Sequence, residues 1–195
     1  MKQVRYLLVL LSITLCCNAA FAQKKNDTNV RAFEFEVGVG FAVGSKDGLV
    51  GMVPGPHFLI EARTNLKDTP WDLGFQLAYG GIYRKDGYHD YVTTNRFSMV
   101  AFTDYNFRYW DKVCPFAGIG LGRTTIRAEF PDSVSGGTER PVLSSTYPAV
   151  ILNPRIGVEF FNHLRLTAEY KCTFDRRSSY FALNLGFAFG GGRKK

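Results

Sequence analysis

The chain has 195 residues, a formal net charge of +7, and 46% hydrophobic residues, with 17 Phe and 10 Tyr among them. That length suits one domain of ordinary size. Past the N-terminal segment no run reaches 18 apolar residues without a charge, which excludes helical membrane spans. No basic patch interleaved with stacking aromatics marks a nucleic-acid module, so no nucleic-acid partner is expected.

Lys2 and Arg5 precede an apolar run from Leu7 to Leu15, followed by Ala20-Phe21-Ala22. This order of charged, hydrophobic and small residues predicts a secretory signal peptide over residues 1–22, cleaved after Ala22. The apolar run falls short of the about 20 residues that a helical anchor needs. Cys16 and Cys17 follow Leu15 rather than a small residue, which argues against lipid attachment. Residues 23–195 then form one β-barrel domain. The mature chain keeps Cys114 and Cys172, which fall in different candidate strands at opposite ends; neither a disulfide nor a metal site is expected from them.

From Phe33 onward the chain alternates with period two, the signature of strands with one apolar face. Strand one sets Phe33, Phe35, Val37, Val39, Phe41 and Val43 against Glu34, Glu36, Gly38, Gly40 and Ala42. A Gly-rich loop, Gly44 to Val53, leads to strand two from about Gly55 to Arg63, with Phe58, Ile60 and Ala62 opposite His57, Leu59, Glu61 and Arg63. Thr64 to Trp71 has turn composition, and strand three points Leu73, Phe75, Leu77 and Tyr79 outward. After a loop from Arg84 to Asp90, strand four runs roughly from Val92 to Asp104, with Phe97, Met99 and Ala101 opposite Arg96, Ser98, Val100, Phe102 and Asp104.

Strand five, about Val113 to Ile126, opposes Ala117, Ile119 and Leu121 to Gly118, Gly120 and Gly122. The longest connection, Ala128 to Thr146, contains Pro131, Gly136, Gly137 and Pro141. Strand six points Ile156, Val158 and Phe160 one way and Asn153, Arg155, Gly157 and Glu159 the other. A tight turn at Asn162 and His163 leads to strand seven, where Leu164, Leu166, Ala168, Tyr170 and Cys172 oppose Arg165, Thr167, Glu169 and Lys171. Asp175 to Ser179 leads to strand eight, with Phe181, Leu183, Leu185, Phe187 and Phe189 on its apolar face. The pattern predicts an all-β, eight-stranded antiparallel up-and-down transmembrane β-barrel.

Alternation alone does not say which face meets water. The second face decides, because it mixes Glu34, Glu36, Glu61, Arg63, Asp104, Arg155, Glu159, Arg165, Glu169 and Lys171 with Gly and Ala. On a soluble exterior those glycines would weaken the strands without compensation. In a narrow barrel they make room for long charged side chains, so the ten residues are expected to form an ionic network in the lumen. With the turn centred on Asn162, Glu159 falls opposite Arg165 and Arg155 opposite Glu169; Glu34 and Glu36 fall near Arg63 and Glu61. With both termini periplasmic, Trp71, Tyr105, Tyr109 and Trp110 form one interfacial girdle, and Tyr83, Tyr88, Tyr91 and Tyr147 the other. Arg123 and Arg127 then face outward near the outer rim, either meeting lipopolysaccharide phosphates or serving as ordinary loop-edge charges.

Pro115-Phe116-Ala117-Gly118-Ile119-Gly120-Leu121-Gly122, Asn153-Pro154-Arg155-Ile156-Gly157-Val158-Glu159 and the last strand, Tyr180 to Gly190, resemble the outer-membrane protein β-barrel domain family of small porin-like Gram-negative proteins. The resemblance spans nearly all of residues 31–190 as a diffuse pattern. It implies a cell outer-membrane barrel with short periplasmic turns and longer outer loops. It also implies that the last strand, with Phe187 and Phe189, addresses the chain to the outer-membrane insertion machinery.

Function is read as noncatalytic: a plugged polar lumen, with a role in envelope structure or in binding through the outer loops. The expected partners are outer-membrane lipid and lipopolysaccharide, the insertion machinery, and a loop-bound protein or envelope partner. No cofactor is expected. The alternative is a lipid-active enzyme, a lipid A acyl hydrolase or acyltransferase. It would need His57 to meet a partner such as Ser98 and an acid, and nothing in the spacing requires that. Gly118 to Gly122 lacks the spacing and the following helix of a nucleotide-binding loop.

Overall fold

The computed structural model describes residues 33–44, 52–66, 69–85, 91–107, 112–130, 143–174 and 179–190. The expected signal peptide, Cys16, Cys17, Tyr88, His89, Tyr109, Trp110 and the basic tail lie outside these residues. The strands are β1 (Phe33–Gly44), β2 (Met52–Val53), β3 (Gly55–Asn65), β4 (Trp71–Lys85), β5 (Tyr91–Asn106), β6 (Val113–Phe130), β7 (Leu143–Phe160), β8 (Leu164–Thr173) and β9 (Tyr180–Phe189).

Every neighbouring pair is antiparallel, and β1 pairs with β3 on one side and β9 on the other, which closes the sheet. The short β2 is a continuation of β3, since both pair with β4. Between Val53↔Tyr83 and His57↔Gly80 the β2–β3 side has one more residue than β4, a bulge at Pro54-Gly55-Pro56. Pro54 and Pro56 lack the N–H that a continuous ladder needs. The barrel therefore has eight staves, one of them broken near its rim.

The register also fixes the tilt. Stepping across from Glu34 through Arg63, Gly74, Phe102, Gly120 and Asn153, then to Lys171 in the register set by Leu152↔Cys172 and Arg155↔Glu169, and on to Tyr180, returns to β1 at Gly44, ten residues further along. That stagger tilts the strands and leaves an eight-stranded interior about wide enough for side chains to fill.

Three differences from the sequence expectation concern the ends. β6 runs to Phe130 and β7 begins at Leu143, so the expected Ala128–Thr146 connection narrows to residues 131–142. Partners such as Arg127↔Thr146 and Ala128↔Ser145 extend the hairpin through residues whose polarity had suggested a loop. Likewise β4 continues to Lys85, and Met52–Val53 is strand rather than loop. The third is the outer girdle. Tyr147 pairs with Ile126, which is fully buried, and so lies on the lumen side of β7 rather than on the lipid side.

At the other end the connections are short. Phe160 to His163 is a tight turn, with the His163 N–H donating to the Phe160 carbonyl at 3.1 Å. Phe161 and Asn162 both take left-handed conformations, φ 53° and 60°, as a hairpin turn of this hand requires. Asn162 tolerates that well; Phe161 does so at some cost. Trp71 packs edge-on against Tyr105 at 4.9 Å, and Tyr105 against Phe107 at 5.2 Å, forming an aromatic cluster at this end.

Candidate functional site

The barrel is apolar outside and polar within. Outward-facing Phe35, Val37, Val39, Phe41, Phe58, Ile60, Leu73, Phe75, Ile119, Leu121, Ile156, Leu185 and Phe187 are all exposed, while the alternate residues are buried. A contiguous apolar wall of this size is not stable against water and has the form of a lipid-facing surface.

The lumen is where the charges converge. Arg63 is the hub nearest the short turns: its Nε donates to Glu34 at 2.6 Å, Nη1 to Glu36 at 2.7 Å and Nη2 to Glu159 at 3.0 Å. Asn65 adds a bond to Glu34 at 3.1 Å. One layer further in, Arg155 grips Glu61 with two parallel bonds of 2.9 Å each and has Asp104 at 3.4 Å. Two-pronged guanidinium–carboxylate pairs are among the strongest that side chains make. Arg165 donates to Asp104 and lies 3.9 Å from Glu36, which joins the two layers.

Toward the loop end the network becomes amide-rich. Glu169 accepts from Gln76 at 3.0 Å, Asn153 at 3.1 Å and Asn184 at 3.3 Å, with Lys171 at 3.4 Å. Gln76 also donates to Glu61 at 2.8 Å and accepts from Lys171, so it bridges the two parts of the network. The Asn184 amide, oriented by its bond to Glu169, turns its oxygen to His57 Nδ1 at 2.6 Å. His57 Nε2 faces Glu169 at 3.8 Å.

All ten residues of the expected network thus lie on the inner face. The cross-strand register of the β7–β8 hairpin is as anticipated, Arg155↔Glu169 and Glu159↔Arg165. Arg63 also meets Glu34 and Glu36 of the adjacent strand, as expected, but Arg155 to Glu61, Arg165 to Asp104 and Arg63 to Glu159 run across the lumen. Opposite neighbours in a tilted barrel point into the same space, and long side chains there reach the far wall.

Sequence reasoning missed Gln76, Asn153, Asn184, Asp72 and Asn106 as members. The signal was present for Asp72 and Gln76, which alternate with outward Leu73, Phe75 and Leu77. Asn106 donates to Asp72 at 2.7 Å.

Aromatic rings support the guanidinium groups. Arg165 lies over Phe116 at 3.6 Å from the ring centre and Arg155 over Phe102 at 4.2 Å, distances typical of cation–π contact. The inward glycines make this possible. A Cβ at Gly118 would overlap the Asp104 carboxylate and one at Gly186 the Glu36 carboxylate; at Gly74 and Gly157 it would overlap the rings of Phe102 and Phe116. The small inner face therefore accommodates acids and rings, with the arginines layered on them.

His57 and Ser98 are each fully buried. Ser98 donates to Thr124 at 3.1 Å and shares a bond with Tyr180 at 3.3 Å, while His57 is committed to Asn184. Cys114 and Cys172 are free thiols.

A closed, eight-stave antiparallel barrel with this inside-out polarity defines the class of small outer-membrane-type β-barrels. Among solved structures, Neisserial surface protein A is similar at TM-score 0.56 and 17% identity, over 83% of this chain and 98% of that one. Ail, the attachment invasion locus protein of Yersinia pestis, solved with the heparin analogue sucrose octasulfate, matches at TM-score 0.51 and 19% identity, over 81% and 99%. The N-terminal β-barrel domain of Pseudomonas aeruginosa OprF matches at TM-score 0.47 and 17% identity, over 84% and 100%. No family model and no curated protein matches the sequence. The kinship is one of fold.

Proposed function

We propose that this chain is a noncatalytic outer-membrane barrel with a plugged lumen, which serves envelope structure or binds a partner through its outer loops. Residues 1–22 act as its export signal, and the last strand engages the outer-membrane insertion machinery. The observation that carries the reading is the filled interior, in which Arg63, Arg155, Arg165, Glu61, Glu169 and Lys171 are all buried. A lumen occupied in this way serves neither as a diffusion pore nor as a substrate pocket.

Both termini lie in the periplasm on this reading. It rests on the arrangement of connections: the tightest, residues 161–163, lies at one end with 66–70 and 107–112, and the longest, 131–142, lies at the other with 45–51, 86–90 and 174–179. Barrels of this kind place short turns inward and longer loops outward.

The burial of His57 and Ser98 speaks against the lipid-active alternative, since no acyl chain reaches either. His57→Ala is expected to leave lipid A acylation unchanged when the protein is overexpressed. A changed lipid profile in the wild type that His57→Ala abolishes would restore the enzyme reading.

For binding, the sulfated saccharide bound by Ail supplies the first probe. The full-length protein and a variant lacking residues 131–140 should both show the mobility shift on boiling that a folded barrel gives on a denaturing gel. The intact chain should be retained on immobilised heparin and the deletion variant should not. Equal retention would exclude that loop as the binding element, and a missing mobility shift would remove the membrane-barrel reading itself.

A further inference from the structure

In the half of the lumen nearest the short turns, one guanidinium serves three carboxylates. Arg63 holds Glu34, Glu36 and Glu159, while Asp72 pairs across the sheet with Asn65, whose amide bonds Glu34. The register adds like-charged neighbours, Glu36 opposite Glu61 and Asp72 opposite Asp104, an arrangement that destabilises a sheet. Among the described inward-facing residues of this half, the acids Glu34, Glu36, Glu61, Asp72, Asp104 and Glu159 face only Arg63, Arg155 and Arg165 as cations. One oxygen each of buried Glu36 and Asp72 accepts no hydrogen bond among the described residues. Buried carboxylates are tolerated when paired, so this half is short of positive charge. The deficit is reachable at the mouth, where the Glu34 and Glu159 side chains are 8% and 14% exposed, against 1% or less for Glu36, Glu61 and Asp104.

We propose that the basic stretch Arg193-Lys194-Lys195 folds back over this mouth and supplies the missing cations to Glu34, Glu159 and Asp72, as a latch made from the chain itself. β9 delivers it to the right place. Gly190 ends that strand at the level of Glu34, since a Cβ on it would lie 3.8 Å from the Glu34 Cα, and its φ of 90° breaks the extended path. Gly191 and Gly192 follow before Arg193, in a stretch beyond the described residues. Glycines take the turn needed to double back at little steric cost. Eight staves about 4.8 Å apart and tilted by about 40° put the barrel axis about 8 Å from any stave. Three residues span up to about 10 Å, so Arg193 reaches the centre of the mouth and Lys194 its far side. The three cations have no acid among residues 190–195, whereas the segment before β1 mixes Lys24, Lys25 and Arg31 with Asp27. Mouth and basic stretch share one end of the barrel whichever way it sits in the membrane. The latch therefore rests on the barrel proposed above and not on its orientation.

The test refolds the exported chain in phosphatidylcholine vesicles, whose surface has no net charge to draw the basic stretch away, and titrates it with urea, reading the fast-migrating band of unboiled protein. At low salt R193Q/K194Q/K195Q should lower the folding equilibrium constant about tenfold, the worth of two or three partly exposed ion pairs, and R193E/K194E/K195E should lower it further. In 1 M NaCl, where screening acts within about 3 Å, the difference should vanish. With E34Q/E159Q as the parent, the same tail substitutions should change the constant less than twofold, because the partners are gone. If that parent does not fold, E159Q alone should reduce the tail effect to about threefold. Tail variants that match wild type at low salt would overturn the latch, as would an undiminished tail effect in the E34Q/E159Q or E159Q parent. A tenfold loss in K24Q/K25Q/R31Q with none in the tail variants would give the mouth to the segment before β1 instead. A wild type that never shows the shift on boiling would remove the barrel and the latch together; a normal shift with unchanged equilibria removes the latch alone.

Discussion

Arg155→Ala is expected to cost the folded barrel about 3–5 kcal/mol, the range for breaking a buried ion pair from one side. Arg155 is buried, holds Glu61 through two bonds, neighbours Asp104 and covers the Phe102 ring. Its removal leaves buried Glu61 without its two-pronged cation and Asp104 with Arg165 alone. Urea titration in phosphatidylcholine vesicles, read by the fraction of unboiled protein in the fast-migrating band, measures this loss. Arg155→Met combined with Glu61→Leu should recover most of it, because the penalty comes from stranded charge rather than from a missing pair. If the single variant matched wild type, the lumen network would be a loosely solvated set of side chains and not a plug.

Ile119→Arg should be the most damaging change on the outer wall, at about 2–4 kcal/mol for an arginine near mid-bilayer. Ile119 is 50% exposed, on the same face and strand as Arg123, and two repeats of the alternation deeper into the apolar band. The same vesicle titration reads the effect. The prediction also separates two worlds for the fold. On a water-facing exterior the substitution would be neutral or would improve solubility, and that outcome would mean that the apolar wall faces something other than lipid.

Much of the fold could be read in the chain because a strand in a membrane barrel writes its two environments into alternate residues. β9 shows this fully: Phe181, Leu183, Leu185, Phe187 and Phe189 face out, and the residues between them face in. The facing of β5, whose inner side carries Val100 and Phe102 beside Arg96 and Asp104, was less plain in the sequence, yet it follows the same parity. Those two apolar residues sit inside because inward glycines at Gly74 and Gly120 leave space there.

Strand ends were harder to read. Outside the apolar band neither side is lipid, so the alternation that marks a strand fades while its hydrogen bonding continues, as in Leu143 to Pro148. Partner choice within the lumen was legible for Arg63 with Glu34 and Glu36, on one hairpin, and not for the pairs that cross the barrel. Hairpin geometry identifies the residue opposite, but whether Arg155 turns to Glu169 beside it or to Glu61 across the barrel depends on tilt, ring stacking and space. Gln76 shows the same limit, since an amide bridging three partners has no sequence mark beyond its parity.

The cross-lumen bonds also bear on how the barrel comes together in time. Arg155 and Glu61 are 94 residues apart in the chain, Arg63 and Glu159 are 96, and Lys171 and Gln76 are 95. No hairpin carries both members of these pairs, so an early hairpin entering hydrocarbon would bring bare ions with it. Of the lumen charges, Arg63 can meet Glu34 and Glu36 within the β1–β3 hairpin, whereas Arg155 and Glu61 need distant strands. Ring closure is thus the step that completes these cross-lumen bonds.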